Sequence, residues 1–311
     1  MRRVLLVGAG EVGVKHLDAI GRAPGLAVAA VADPVAPAVL PPGAAYFPSW
    51  GPALEAVDAD LVIAAAPPGI ALEAARAAAR TGAAVIVEKP AAVDPAELAW
   101  QAGDERIFVG FQSHFAPGLA ALLAQRPAVD RAGVLLAVRR DPGYFRGWRR
   151  SYASAGGVLH QQAIHGLALA LRLMPGQPEV VTARAVYRRQ LADSEDQVVA
   201  RLELPGGRAL AASARIDYDG TPRHEVTLRL SAGQRLRVRG RNLEAGLGEF
   251  ADAPSHEQLR RAMYAAALAA ADSRGPVHPC LFPLPELRRP MEVIDRVYRK
   301  IRAGHAPAPA A

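Results

Sequence analysis

Residues 4–13 read VLLVGAGEVG, an apolar run that leads directly into glycines at Gly8, Gly10 and Gly13. A second apolar run, LAVAAVADP, begins at Leu26 and ends in Asp33 and Pro34. Strand, glycine turn, helix and strand-end acid, in that order, make a dinucleotide-binding βαβ unit. Gly8 lets the chain turn off the first strand, and Gly10 lets backbone N–H groups approach a pyrophosphate. Gly13 lets the helix pack closely, and the helix N-terminus offers unpaired donors with a partial positive charge. Asp33 is placed to accept hydrogen bonds from an adenosine ribose and to repel a 2′-phosphate, so NAD is expected rather than NADP. Glycine-rich loops also serve as plain turns; the flanking strands and the acid decide for the nucleotide.

Composition narrows the classes further. With 311 residues, 51% of them hydrophobic, the chain can bury a large core and is expected to form two domains. No stretch has the length and apolarity of a membrane span, so no membrane partner is expected. Met1-Arg2-Arg3 leads straight into the first strand, unlike a secretory signal. The single cysteine, Cys280, permits neither an internal disulfide nor a cysteine-based zinc site, which points to a cytoplasmic protein without a metal. A net charge of +7 raises nucleic-acid binding as a question. Of 37 basic residues only Lys15, Lys89 and Lys300 are lysine, and the arginine pairs are scattered. Abundant arginine, alanine and proline fit a GC-rich coding sequence, so a solvated basic face is expected and not a nucleic-acid site. Where arginine is used almost everywhere, a remaining lysine draws notice for its compact, titratable ammonium.

The first third alternates strands (Val4–Val7, Leu26–Ala32, Leu61–Ala65, Ala84–Val87 and Ile107–Gly110) with helices near 12–21, 70–81 and 95–102. This predicts a doubly wound parallel sheet in an N-terminal domain over residues 1–118. Beyond it, residues 119–311 are expected to form an α+β domain. Its strands lie near 133–139 and then, in the stretch from Val180 onward, near 198–204, 208–216, 224–230 and 234–239, and its helices near 159–173, 256–271 and 284–303. In the last two strands Val226, Leu228, Leu230, Leu236 and Val238 face one way. Arg229, Arg235, Arg237 and Arg239 face the other, an open antiparallel sheet with one polar side.

Glu88-Lys89-Pro90 lies at the carboxyl end of a parallel strand, the edge where ligands bind in open α/β sheets. Lys89 could reach a substrate oxygen there, and the bond to Pro90 is a candidate cis peptide; the alternative is a surface lysine ending a strand. Further on, GGVLHQQAIH at 156–165 runs from a glycine pair into a helix. Gln161 and His165, four apart, share a face near its start, and a histidine can exchange a proton near neutral pH. The alternative is a histidine satisfied within a helix–sheet interface.

Together these motifs resemble the Gfo/Idh/MocA family of oxidoreductases (glucose–fructose oxidoreductase, inositol dehydrogenase, rhizopine catabolism). The resemblance runs through GAGEVG with His16, AAPPG at 65–69, VEKPAA at 87–92, VGFQSHFAP at 109–117, the glycine-pair motif and Val293-Ile294…Tyr298. It implies a Rossmann domain followed by an α/β domain with an open, mostly antiparallel sheet, and a nicotinamide cofactor between them. It implies cofactor contacts from Gly8, Gly10, Glu11, Val12, Gly13, Asp33, Pro67, Glu88 and Lys89, and catalytic positions at Lys89 and His165, with Gln161 orienting the substrate. The stretch Tyr144-Phe145-Arg146-Gly147-Trp148-Arg149 resembles the branch acting on nucleotide-linked or amino sugars. Tyr144, Arg146, Trp148 and Arg149 would join Lys89, Gln161 and His165 in holding substrate; a surface arginine cluster is the other reading.

Three positions depart from the family pattern: Gln161 stands where an aspartate or asparagine is common, Ala168 where an aspartate is common, and Ala71 lies near the place of a histidine. The expected activity is hydride transfer between NAD and a carbinol or carbonyl carbon of a sugar, sugar nucleotide or cyclitol. A non-catalytic NAD- and sugar-binding regulator and an NAD-dependent glycosidase share the same implied fold. A homodimer or higher homo-oligomer is expected, in which the arginines of the open face meet acids or lie at the rim.

Overall fold

A computed structural model describes residues 1–244, 253–272 and 277–304. The closing stretch HAPAPAA, whose composition predicts disorder, lies outside them. The chain divides into two compact units: Met1–Ala92, Ala96–Ala121 and Asp252–Leu287 in the first; Val93–Pro95, Leu122–Ala251 and Arg288–Ala311 in the second.

The first unit contains β1 (Arg2–Val7), α1 (Glu11–Gly21), β2 (Leu26–Ala32), β3 (Ala45–Phe47), α2 (Trp50–Ala56), β4 (Leu61–Ala64), α3 (Ile70–Arg80), β5 (Ala84–Val87) and β6 (Ile107–Val109). All six strands are parallel, in the order β3-β2-β1-β4-β5-β6. The strand order reverses between β1 and β4, which makes the carboxyl ends of those strands a ligand crevice. β4, β5 and β6 are buried along their whole length, as strands covered on both faces must be, and their Val/Ile/Leu runs follow from that.

The sequence predicts a second domain over all of 119–311; in the structure Asp252–Leu287 groups with the first unit. The reason is packing. After α4 (Leu119–Gln125) and the second unit's strands, α7 (His256–Asp272) carries Met263, Tyr264, Ala267 and Leu268 on one stripe. That stripe shares a core with Val4, Leu6, Ile20, Ile63 and Ile86 of the Rossmann sheet and its first helix. The helix expected over 95–102 is only a 3-10 turn at Pro95–Leu98, and Trp100 beyond it is exposed.

The second unit holds β7 (Val129–Ala137), α5 (Tyr152–Ala155), α6 (Ile164–Leu173), β8 (Glu179–Val186), β9 (Gln197–Leu204), β10 (Arg208–Arg215), β11 (Arg223–Leu230), β12 (Arg235–Arg239) and β13 (Asn242–Glu244). Its sheet runs β13-β12-β11-β7-β10-β9-β8, antiparallel except for β7 with β10. α6 lies on the apolar face. A Cβ at Gly166 would stand 2.8 Å from Val134 Cγ1, so the missing side chain lets helix and sheet approach closely. Val226, Leu228, Leu230, Leu236 and Val238 are buried there, while Arg229, Arg235 and Arg239 are exposed on the other side. Most of α8 (Leu284–Gly304) also belongs to this unit, burying Met291, Ile294, Val297, Tyr298 and Ile301.

The helix expected over 159–173 begins differently. Residues Leu159–Ala163 form a π turn, and regular α geometry starts at Ile164.

Candidate functional site

The glycine loop supplies a nucleotide cradle in the first unit. Gly8 has φ +91° and a Cβ there would fall 2.6 Å from the Ala66 backbone nitrogen. A Cβ at Gly13 would collide with the Gly8 carbonyl oxygen, so α1 can seat on the loop only through glycine. Gly10 differs from both: nothing lies within 4 Å of where its Cβ would project, and no side chain caps the α1 N-terminus that it starts. Open space in front of uncapped helix N–H groups fits a pyrophosphate. Glu11 is exposed and paired to Lys15 at 2.8 Å, and Val12 is half-buried.

Asp33 closes the cradle at the end of β2. Its Oδ2 accepts the Ala9 N–H at 2.7 Å and its Oδ1 accepts the Val35 N–H at 2.8 Å. A carboxylate offers about four acceptor positions, so both oxygens keep capacity for ribose hydroxyls. Pro67 is half-buried just ahead of α3, whose Ala71 N–H binds the Pro67 carbonyl at 3.0 Å. These residues fit the adenosine half of a dinucleotide.

Lys89 is half-buried just past β5, and its peptide bond to Pro90 is cis. Glu88 beside it is buried and turned inward. Its Oε1 lies 3.1 Å from His16 Nε2, and His16 Nδ1 lies 2.7 Å from the Tyr264 hydroxyl. Gly110 leaves room for the carboxylate: a Cβ there would sit 2.8 Å from Oε1. Burial pushes the Glu88 carboxyl up, but the His16 hydrogen bond and the charges of His16, Lys89 and Arg260 bring it below its ordinary value. Burial raises the Tyr264 phenol, which stays protonated and able to donate. The sequence reading missed His16 and Tyr264 as Glu88's partners. The spacing Gly13, His16, Ile20 does place His16 on the buried face of α1, and a buried imidazole needs polar partners.

In the second unit the glycine pair is explained by close neighbours. Gly156 has φ +67°, and a Cβ there would strike the His160 ring; a Cβ on Gly157 would strike the Tyr298 hydroxyl. Gln161 is buried and donates its Nε2–H to the Gly156 carbonyl at 3.0 Å, while His165 is half-buried at the start of α6. The π turn between them means that a spacing of four does not follow α-helical geometry here. Ala168, where the family often has an acid, is buried.

The aromatic–arginine stretch is organised around Tyr144. The Arg140 and Arg149 guanidinium carbons each lie 4.9 Å from its ring centroid, and Arg149 also lies 4.7 Å from the Trp148 ring. Gln162 donates Nε2–H to the Tyr144 hydroxyl at 2.6 Å and accepts from Arg140 at 2.6 Å. Gln162 and Arg140 thus join the glycine-pair segment to Tyr144, Trp148 and Arg149, a link invisible in sequence spacing. Arg146 is exposed. Among the described residues no cluster of three or more His, Cys, Asp or Glu could hold a metal, and no helix is long and apolar enough to cross a membrane.

Comparison with known proteins places this geometry. Residues 2–101 match the oxidoreductase family model with an NAD-binding Rossmann fold, and residues 134–242 match the GFO/IDH/MocA C-terminal domain. The chain belongs to the Gfo/Idh/MocA oxidoreductase family. No curated protein matches it by sequence. Among solved structures, a WlbA dehydrogenase from Bordetella pertussis in complex with NADH and UDP-GlcNAcA is similar, with TM-score 0.79 and 20% identity, covering 100% of this chain and 98% of that one. A myo-inositol dehydrogenase from Corynebacterium glutamicum is similar with TM-score 0.76 and 19% identity, covering 99% and 100%. KijD10, a 3-ketoreductase from Actinomadura kijaniata in complex with NADP and TDP-benzene, is similar with TM-score 0.72 and 18% identity, covering 97% of each chain. At these identities the likeness is one of fold.

Proposed function

We propose that this protein is an NAD-dependent dehydrogenase or reductase acting on a CH–OH group of a sugar, sugar nucleotide or cyclitol. The observation that carries the reading is the cradle formed by Gly10 and Asp33: open space before the α1 N-terminus, beside a carboxylate with free acceptor capacity. Bound NAD supplies the two-electron acceptor for oxidation of the carbinol carbon. His165 takes the hydroxyl proton, Lys89 donates a hydrogen bond to the same oxygen, and Gln161 orients the ring; in reduction the proton runs back from His165. Tyr144, Trp148, Arg146 and Arg149 bind the distal part of the substrate, with aromatic faces for a sugar or base and guanidinium groups for phosphate or carboxylate. Sugar-nucleotide and cyclitol ligands or names among the similar structures support this class. Asp33 favours NAD over NADP, because a 2′-phosphate would meet its charge.

Besides the cofactor contact that the family pattern implies, Glu88 ties the turn carrying Lys89 to α1 through His16. The regulator reading draws on Gln161, uncharged and bonded into the Gly156 turn. Incubation with NAD and a panel of sugars, sugar nucleotides and cyclitols, followed by absorbance of reduced cofactor, separates the two. Reduced cofactor from one substrate class supports the enzyme; ligand binding without any reduction supports the regulator.

A further inference from the structure

We propose that Glu195 and Tyr298 are positioning residues that lock the π turn at Leu159–Ala163 and so set the rotation of His165. The significance of that rotation for catalysis rests on His165 being the proton-transfer group; the lock itself does not.

A helix leaves its first N–H groups without partners along its own backbone. Here three successive groups ahead of α6 are taken by three side chains. The Gly157 N–H donates to His160 Nδ1 at 3.2 Å, the Val158 N–H to Glu195 Oε1 at 2.7 Å, and the Leu159 N–H to the Tyr298 hydroxyl at 3.1 Å. The Tyr298 O–H donates in turn to Glu195 Oε1 at 2.6 Å. Glu195 and Tyr298 come from distant parts of the chain, the segment before β9 and the middle of α8, and both are buried. The His160 ring stacks on Tyr298 at 5.3 Å, 11° from parallel, and it is also bonded to the Val93 backbone. The glycine pair makes the arrangement possible, since side chains at 156 and 157 would occupy the places of His160, Tyr298 and Glu195.

The consequence lies downstream. A π turn holds one more residue than an α turn, and each residue advances an α-helix by about 100°. If Val158 and Leu159 were free to seek other partners and the turn relaxed to α geometry, every side chain after it would rotate by that amount. Gly166 would then leave its close approach to Val134, and His165 beside it would face elsewhere. A fixed cap at the start of the turn and a close helix–sheet approach at its end hold the extra residue between them.

The test uses the full chain with NADH bound, and compares Tyr298→Phe with wild type by amide hydrogen exchange and by NMR titration of the histidine rings. The phenylalanine keeps the ring stack and removes the hydroxyl that Leu159 needs. We expect exchange at the Leu159 amide to rise about tenfold and the His165 ring signals and titration midpoint to move. NADH affinity should change less than about twofold, since the proposed cradle of Gly10 and Asp33 belongs to the first unit and the substituted residue to the second. Glu195→Gln, which keeps an acceptor oxygen, should leave both readouts near wild type, whereas Glu195→Ala should reproduce Tyr298→Phe. If Tyr298→Phe does not fold, the Gln and Ala variants make the same comparison. Unchanged exchange at 157–159, or freed amides with an unmoved His165 titration, overturns the proposal. A moved His165 with undiminished turnover upholds the lock and instead removes His165 from the chemistry.

Discussion

His16 Nε2 stands 3.1 Å from the Glu88 carboxylate, with the Tyr264 hydroxyl 2.7 Å from the other side of the imidazole. One buried chain of hydrogen bonds thus joins α1, the turn carrying Lys89, and α7. Removing either partner leaves the other buried and unsatisfied. His16→Ala or Glu88→Ala should cost about 3 kcal/mol in urea unfolding. Because the Glu88 carboxyl is held below its ordinary value, the stabilisation it brings is present above the unfolded pKa and is lost as pH falls through the folded one. A Glu88→Ala protein whose stability deficit does not shrink in acid would show that the carboxylate is not the group responsible.

Gly10 and Gly13 should separate binding from folding. A methyl at Gly10 projects into open space, so Gly10→Ala should unfold within about 0.5 kcal/mol of wild type while losing about tenfold or more in NAD affinity. Gly13→Ala drives a methyl into the Gly8 carbonyl and should destabilise the fold by about 2 kcal/mol or more. Thermal unfolding and fluorescence titration with NADH check both; equal NADH affinity in Gly10→Ala and wild type would remove the cradle assignment.

Asp33 should set the choice between cofactors. NADH is expected to bind about tenfold more tightly than NADPH, and Asp33→Asn should narrow that ratio while weakening NADH. Equal affinities in the wild-type protein would mean that a nearby arginine offsets the carboxylate.

The His160 ring is pulled down to about 3 by burial, against a lift from its bond to the Val93 backbone. The unfolded ring takes up its proton near 6.5, so the stability contributed by the neutral folded ring is complete above that pH and is lost as pH falls towards 3. His160→Phe keeps an aromatic ring against Tyr298 but cannot titrate. Its deficit relative to wild type should shrink by up to about 1.4 kcal/mol for each pH unit below the unfolded value. Glu195, raised by burial, is present in both proteins and cancels in the difference. A deficit independent of pH would contradict the assignment.

Much of this was legible in the sequence because local patterns carried it. Buried parallel strands show as short Val/Ile/Leu runs, the second sheet shows period-two alternation, and its hairpins are marked by Gly206-Gly207 and Gly233, all with positive φ. Features set by distant contacts were not legible. β3, α2 and α4 are too short or too weakly periodic to announce themselves, and the return of α7 to the first unit depends on a stripe whose partner sheet precedes it by most of the chain. Glu88 reads as part of a cofactor motif, yet its carboxylate turns inward because His16 and Gly110 give it a place there. The π turn is likewise dictated by Glu195 and Tyr298, which no local pattern connects to Leu159.

The central claim is hydride transfer assisted by Lys89 and His165. Its most direct test is the rate of NADH formation by wild type, Lys89→Ala and His165→Ala on the substrate that the panel selects, with NADH affinity measured alongside. Each variant should lose about 100-fold or more in turnover while binding NADH nearly as before, and the double variant should lose less than the product of the two. Near-normal turnover in both single variants, or ligand binding with no NADH formed by the wild-type protein, would contradict the account.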